Sequence, residues 1–175
     1  MKSGFAGIVG RPNVGKSTLM NALVGEKVAI TSSKAQTTRN AIRGIYTDDE
    51  YQIVFIDTPG IHKPKNKLGE YLTGTALSTF NEVDVILFLT DGPLSAGPGD
   101  RYILELLRKV KNTPKLLVIN KIDLIEPDKF RQIYEEYDAE GVFDDILGVS
   151  ALQEQNTGVC FEKIKPYIKE GPMYF

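Results

Sequence analysis

The chain has little of what a secreted or membrane protein needs. Its 175 residues include one cysteine, Cys160, so no disulfide can form within the chain, and such usage is typical of a reducing compartment. No apolar run approaches the roughly 18 residues of a membrane helix, and no signal-peptide pattern is present. The formal net charge of −2 provides no general attraction to nucleic acid or membrane. These absences predict a soluble, cytoplasmic domain, in which Cys160 is a packed thiol. The length and the 42% hydrophobic content suit one domain with a single core.

A glycine-rich loop, G-R-P-N-V-G-K-S, occupies 10–17. In this pattern successive backbone N–H groups point at a phosphate, aided by the positive end of the following helix. An apolar run at 5–9 and helical composition at 18–24 favour this interpretation over a chance glycine loop. Lys16 is expected to reach the β- and γ-phosphates, and Ser17 to give its hydroxyl to Mg²⁺. The residues expected to contact nucleotide here are Gly10, Asn13, Val14, Gly15, Lys16, Ser17 and Thr18.

A second pattern, N-K-I-D at 120–123, can distinguish guanine from adenine. Guanine presents N1–H and its amino group as adjacent donors, and the ionised carboxylate of Asp123 can accept from both. Adenine would leave that carboxylate unpaired, which is costly. Asn120 can touch the base and hold the phosphate loop, while the aliphatic stem of Lys121 can lie over the purine. Together with the glycine-rich loop, this motif predicts binding of GTP and GDP.

Between these motifs, D-T-P-G at 57–60 follows a strand-like run at 51–56. Asp57 is expected to hold the Mg²⁺ shell, usually through water, and the Gly60 N–H to approach a γ-phosphate. An ordinary turn is the alternative, since Thr-Pro-Gly is turn-prone.

With these motifs, with K-A-Q-T-T-R at 34–39 and with Ser150-Ala151, the chain resembles the Era family in the translation-factor-related class of P-loop GTPases. The resemblance covers essentially the whole chain, and K-A-Q-T-T-R is its most specific part. It implies that Thr38, rather than Thr37, is the switch I threonine that binds Mg²⁺ and the γ-phosphate in the GTP state. It also implies that the Ala151 N–H, beside Ser150, contacts guanine O6.

Alternating apolar strands and helices predict an α/β fold with a six-stranded, mostly parallel sheet, one antiparallel edge strand, and helices on both faces. Strands are expected near 4–10, 41–47, 50–57, 83–90, 115–120 and 145–149. Helices are expected near 16–24, 67–81, 99–110, 127–138 and 157–169. Only Asp48-Asp49 separates the second and third strands, a hairpin spacing that makes the edge antiparallel.

The resemblance implies the same Ras-like arrangement for the P-loop domain. It further implies that 1–170 form the GTP-binding domain and that 171–175 begin a linker to a C-terminal RNA-binding domain that this sequence does not contain. By the same resemblance, the small ribosomal subunit and its ribosomal RNA are expected partners, mainly through that domain. Peripheral membrane association of the longer protein stays open, and a monomer is expected.

The residue after D-T-P-G is Ile61, where Ras-type proteins place a glutamine that orients the attacking water. Isoleucine can neither donate nor accept a hydrogen bond, so water must be positioned by backbone groups, another side chain or a partner, or hydrolysis is slow. We expect slow intrinsic turnover, on the order of 10⁻³ per second or less. The residues expected to contribute to catalysis are Lys16, Thr38, Gly60 and Asn13.

Asn13 has two interpretations. In potassium-dependent GTPases of this class, an asparagine at this position helps hold K⁺ where an arginine finger would place its charge; alternatively, it favours the turn geometry of the loop. Arg11 and Arg39 are candidate internal fingers, with solvated charge or partner contact as the simpler roles. His62 is a candidate base in a basic loop at 61–67 that could also report nucleotide state to RNA or be a solvated loop.

Three functions fit these patterns. The leading one is a Mg²⁺-dependent, GTP-hydrolysing switch in which the γ-phosphate orders 31–40 and 58–67. A small-molecule phosphotransferase is the second, although N-K-I-D and the lack of an acceptor-substrate motif count against it. The third is a GTP-dependent RNA or ribosome interaction module with negligible hydrolysis on its own.

Overall fold

The computed structural model describes residues 1–24, 41–57, 77–93 and 97–171. Several predictions concern positions outside these ranges and are not addressed by the structure. These positions are Thr38, Arg39, Gly60, Ile61, His62, the basic loop and 172–175.

The described ranges form an α/β domain. The strands are β1 (Lys2–Gly10), β2 (Ala41–Thr47), β3 (Tyr51–Asp57), β4 (Val85–Asp91), β5 (Lys115–Asn120), β6 (Asp145–Gly148) and β7 (Lys169–Glu170). The helices are α1 (Lys16–Val24), α2 (Pro98–Arg108), α3 (Pro127–Asp138) and α4 (Thr157–Ile164). Residues 77–82 are also helical, and 3₁₀ turns cover Ile122–Leu124 and Lys165–Tyr167.

The strand order is β2-β3-β1-β4-β5-β6. Neighbours in this order run parallel except β2 and β3, which form the antiparallel edge that the hairpin spacing predicts. The two-residue β7 pairs antiparallel with Lys2 and Ser3 of β1. These two residues precede Ala6, where the pairing of β1 with β4 begins. The predicted six-strand arrangement is thus confirmed, and β7 is an addition that is too short to show a sequence pattern.

The central strands are buried on both sides because helices cover both faces of the sheet. One face packs against α1 and α4, through side chains that include Leu19, Cys160 and Ile164. The other packs against 77–82, α2 and α3, through side chains that include Phe80 and Leu107. Burial raises the pKa of the Cys160 thiol to about 12, as suits a packed rather than a reactive cysteine.

Two predicted boundaries are wrong for identifiable reasons. The helix expected over 157–169 ends at Ile164, because Pro166 lacks an N–H and its ring obstructs a continuing helix. The β2–β3 connection has three residues, 48–50, rather than two. The Asp48 carboxylate accepts hydrogen bonds there from the N–H groups of Glu50 at 2.8 Å and Tyr51 at 2.7 Å. Of the helix expected over 67–81, only the part from 77 lies in the described ranges.

Within the described part of the chain, none of the helices has both the length and the apolar character needed to cross a bilayer.

Candidate functional site

The predicted nucleotide-binding residues gather at the carboxyl ends of the parallel strands. Gly10 ends β1, Asp57 ends β3 and Asn120 ends β5, and Asp91, which was not predicted, ends β4. Since β1 lies between β3 and β4, and β5 follows β4, the loops after these strands share one edge of the sheet. Open α/β sheets bind ligands at this edge.

The glycine-rich loop needs its particular residues for its backbone shape. Gly15 has φ +103°, and a Cβ atom added there would lie 2.2 Å from Nδ2 of Asn120. Asn13 has φ +65°, a left-handed conformation that asparagine tolerates better than most residues. This geometry favours the turn interpretation of Asn13, while its interpretation as a K⁺ ligand stays a prediction. The loop leads into α1, which begins at Lys16 and directs its N-terminal N–H groups toward the loop.

Asn120, at the start of the N-K-I-D motif, contacts two other parts of the site. Its side chain is buried, and its Nδ2 donates to the Val14 carbonyl at 3.1 Å. Its Oδ1 accepts from the Ala151 N–H at 3.0 Å. One amide therefore ties the phosphate loop to the Ser150-Ala151 turn. The implied contact of the Ala151 N–H with guanine O6 stays a prediction, because that N–H donates to Asn120 here.

Lys121 makes a second link to the phosphate loop. Its backbone is left-handed, with φ +60°. Its Nζ donates to the Asn13 carbonyl at 3.0 Å and lies 3.3 Å from Oδ2 of Asp91. These contacts fix the ammonium group and leave the aliphatic stem along the wall of the site.

Two adjoining cavities share Gly15, Thr18 and Lys121. The first, the phosphate cavity, measures about 370 Å³ and is lined by the glycine-rich loop, the start of α1 and Arg43. The second, the base cavity, measures about 220 Å³ and includes Asp123 in its lining. The remaining residues that line the base cavity are Asn120, Leu124, Ser150 and Leu152.

Leu124 and Leu152 were not singled out by the sequence analysis. They are 64% and 77% exposed, unusual for large apolar side chains, and both line the base cavity. Exposed leucines beside a polar acceptor provide apolar contact for a flat ring. A larger cavity of about 750 Å³ lies between the 122–124 turn and α3, and no residue of the glycine-rich loop lines it.

The carboxylate of Asp57 contacts two cations that line the phosphate cavity, Lys16 and Arg43. Lys16 Nζ lies 3.1 Å from its Oδ1, and Nη1 of Arg43 lies 3.7 Å from its Oδ2. Nη2 of Arg43 also donates to the Ser17 hydroxyl. Arg43, on β2, was missed because no motif contains it.

Two of the three predicted magnesium ligands, Ser17 and Asp57, have side chains of the kind that binds Mg²⁺. Ser17 Oγ and Asp57 Oδ2 contact different nitrogens of the same Arg43 guanidinium, so both oxygens face one cation here. A hydroxyl, a carboxylate, water and substrate phosphates form the usual coordination of Mg²⁺ in nucleotide enzymes. Among the described residues there is no cluster of three or more His, Cys, Asp or Glu side chains that could hold a metal without a nucleotide.

Two buried carboxylates behind the phosphate loop were also missed. Asp91 is 1% exposed and Asp100, in the first turn of α2, is fully buried. Both pair with Arg11, at 2.9 Å and 3.2 Å. In the sequence they resemble ordinary surface charges, and only the strand order places them here.

Comparison with known proteins agrees with this geometry. A family model described as 50S ribosome-binding GTPase matches residues 5–121. The GTPase Era of Clostridioides difficile (strain 630) is 58% identical over 175 residues, covering 99% of this chain and 59% of that protein. The chain therefore spans 59% of the length of this curated relative.

Two solved structures resemble the whole of this chain. A crystal structure of Era in complex with MgGDPNP and nucleotides 1506–1542 of 16S ribosomal RNA has a TM-score of 0.83 and 40% identity, and the match covers 100% of this chain and 60% of that one. A crystal structure of an Aquifex aeolicus Era variant bound to GDP and AlF4⁻ has a TM-score of 0.81 and 41% identity, with the same coverage of 100% and 60%.

Proposed function

Because this chain belongs to the family of 50S ribosome-binding GTPases, we propose that it binds guanine nucleotides in the two joined cavities and hydrolyses GTP slowly, as a molecular switch. The observation that carries this proposal is the shared wall of the cavities, formed by Gly15, Thr18 and Lys121. One cavity offers loop N–H groups, a helix N-terminus and Lys16 to an anion. The other offers apolar side chains and the Asp123 carboxylate to a flat base that carries donors.

In this proposal the loop residues from Gly10 to Thr18 hold the phosphates. Lys16, which pairs with Asp57 in this structure, turns to the β- and γ-phosphates when nucleotide binds. Ser17 and Asp57 would hold Mg²⁺, which would neutralise charge on the phosphates. The Arg43 guanidinium, which contacts both side chains in this structure, would then have to give way to the metal.

In this proposal, binding of the guanine base depends on four parts of the site: Asn120, Lys121, Asp123 and the Ser150-Ala151 turn. Asp123 accepts from the N1–H and the amino group of guanine. Lys121 lays its stem against the ring. Leu124 and Leu152 cover the apolar parts of the base. Thr38 and Gly60 would sense the γ-phosphate, and their loss of contact after hydrolysis would release the switch segments.

Era, at 40% identity, has been crystallised with a segment of 16S ribosomal RNA. We therefore infer that the longer protein acts on the small ribosomal subunit, in the cytoplasm, with this domain as its monomeric, nucleotide-dependent part. A GTP-dependent interaction module with negligible hydrolysis is the alternative, favoured by Ile61 in place of a water-orienting glutamine.

Single-turnover hydrolysis of GTP with Mg²⁺, in matched K⁺ and Na⁺ buffers, tests the proposal. We expect slow release of free phosphate and acceleration by K⁺ if Asn13 helps to hold that ion. Tight GTP binding without measurable hydrolysis in either buffer would support the interaction module instead. Transfer of the phosphoryl group to a small acceptor would indicate a phosphotransferase, and no GTP binding would overturn the proposal.

A further inference from the structure

Asp91 lies between the phosphate loop at 10–17 and the N-K-I-D motif at 120–123, which is called the guanine motif below, and contacts both. Its Oδ1 accepts from Nη2 of Arg11 at 2.9 Å, and Arg11 belongs to the phosphate loop. Its Oδ2 lies 3.3 Å from Nζ of Lys121, which belongs to N-K-I-D. The sheet brings these groups together, because β4 lies between β1 and β5. Asp91, at the end of β4, pairs in register with Asn120, the neighbour of Lys121.

A second carboxylate secures the Arg11 side of this arrangement. Asp100 Oδ1 lies 3.2 Å from Nε of Arg11, and its Oδ2 accepts from the Thr90 hydroxyl at 2.6 Å. The side chains of Asp91 and Asp100 are 2% and 0% exposed. Two buried carboxylates and two cations form a neutral group, which a protein interior tolerates far better than an unpaired charge. Burial lowers the pKa of Arg11, but the hydrogen bond and charge of Asp91, together with Asp100, raise it above its usual value.

We propose that Asp91 is a positioning residue for the nucleotide, which couples the phosphate loop to the guanine motif by holding Arg11 and Lys121 on one carboxylate. The inference rests on the proposed function, since its ligand is a guanine nucleotide. Asp91 touches no nucleotide in this role and acts through the two cations.

The backbone conformation of Lys121 explains why its contact with Asp91 is important. A lysine in the left-handed region is less favourable than a glycine or asparagine, so its conformation depends on surrounding contacts. The side-chain contacts that hold it are those of Nζ with Asp91 Oδ2 and with the Asn13 carbonyl. With the carboxylate charge removed, the stem of Lys121 is less restrained along the wall shared by the two cavities. Bound nucleotide should then dissociate faster.

The test is the dissociation rate of a fluorescent GDP analogue from the wild type, Asp91→Asn, Lys121→Met and the double variant, with Mg²⁺ present. We expect Asp91→Asn to speed release at least about fivefold. We also expect the rate increase caused by Asp91→Asn to be at least about threefold smaller in the Lys121→Met background, because the effects of coupled residues are not additive. The comparison variant is Asp100→Asn, which contacts Arg11 but not Lys121. Its effect on the release rate should change less between the two backgrounds than that of Asp91→Asn.

A purely structural role for Asp91 predicts a different pattern. General loosening would multiply the release rates equally with and without the Lys121 side chain, and that additivity would overturn the proposal.

If Asp91→Asn does not fold, the double-mutant cycle of Arg11→Met and Lys121→Met replaces it. These two cations do not need to touch each other to be coupled, because they share Asp91, and additivity between them would overturn the proposal as well. Failure of the wild type to bind the GDP analogue would overturn both the proposed function and this inference, whereas tight binding with additive cycles would overturn the inference alone.

Discussion

At the residue scale, Asn120 and Lys121 link segments that lie far apart in the chain. Asn120 reaches Val14 across 106 positions, and Lys121 reaches Asn13 across 108. Each of these side chains binds a carbonyl of the phosphate loop, so the residues proposed to select the base also support the loop proposed to hold the phosphates. The proposed base site and phosphate site are therefore linked directly.

Exchange of Asp123 for asparagine should change which base is preferred. Asp123→Asn replaces an acceptor-only carboxylate by an amide that also donates, so it no longer accepts from both donors of guanine. We expect GDP affinity to fall about 100-fold or more, since hydrogen bonds to charged groups contribute about 1.5–3 kcal/mol each. Xanthosine diphosphate, which offers an acceptor in place of the amino group, should gain affinity. Titration calorimetry with both nucleotides measures this.

Asp128→Asn is the matched control for that exchange. Asp128 lies in the first turn of α3 with its side chain 92% exposed, and it lines none of the cavities described above. Unchanged GDP affinity in Asp123→Asn would contradict the assignment of Asp123 as the reader of guanine.

The sequence identified the residues that belong to short motifs and did not identify those that the strand order brings to the site. Lys16 and Asn120 carry their chemistry in a local pattern, because a tight loop and a strand end need particular residue types. Asp91, Asp100 and Arg43 have no such pattern. Their importance follows from which strands are neighbours, and strand order is a long-range property that composition and spacing do not encode.

At the element scale, the β2–β3 hairpin depends on one side chain in its turn. Asp48 accepts from two backbone N–H groups and from the Tyr46 hydroxyl at 2.9 Å. Burial of Asp48 raises the pKa of its carboxyl, but the hydrogen bonds from Tyr51, Glu50 and Tyr46 outweigh it and hold the pKa below its usual range. The ionised carboxylate therefore stabilises the hairpin that carries Arg43 to the phosphate cavity.

Asp48→Ala should lower the free energy of unfolding by about 1–2 kcal/mol near pH 7, because several hydrogen bonds are lost. The folded-state pKa is depressed, so the wild-type advantage is present above the ordinary carboxyl pKa of about 4 and is lost as the pH falls through the folded value. Urea unfolding of both proteins between pH 7 and pH 3 measures the difference. Asp49→Ala, at the exposed neighbouring position, is the control and should be near neutral. A difference that stays constant down to pH 3 would contradict the role of the charged form.

Elements were predicted best where hydrophobic pattern and length agreed. β2, β5, α1 and α3 have the expected bounds. The end of α4 was wrong although Pro166 marks it in the sequence, because apolar residues at helical spacing continue past the proline. β7 could not be found, since two residues contain no periodicity and exist as a strand only through pairing with β1.

At the scale of the whole molecule, helices pack on both faces of one sheet, so the hydrophobic core expected from the sequence is divided into two clusters, one on each face. α1 and α4 cover one face, and α2, α3 and residues 77–82 cover the other. The carboxyl ends of β1, β3, β4 and β5 are thereby left to form the edge of the sheet that is proposed to bind nucleotide. The Ras-like P-loop architecture and the Era resemblance, both expected from the motifs, are confirmed by the matches that cover the whole chain.

The most direct test of the central claim is a calorimetric comparison of GDP, inosine diphosphate and ADP, each with Mg²⁺. The joined cavities with Asp123 at the base end predict that GDP binds most tightly. Inosine diphosphate, which lacks the amino donor, should bind more weakly, and ADP should be weaker than GDP by about 100-fold or more. Equal affinity for ADP and GDP, or no nucleotide binding, would contradict the claim that this chain recognises guanine nucleotides across the two cavities.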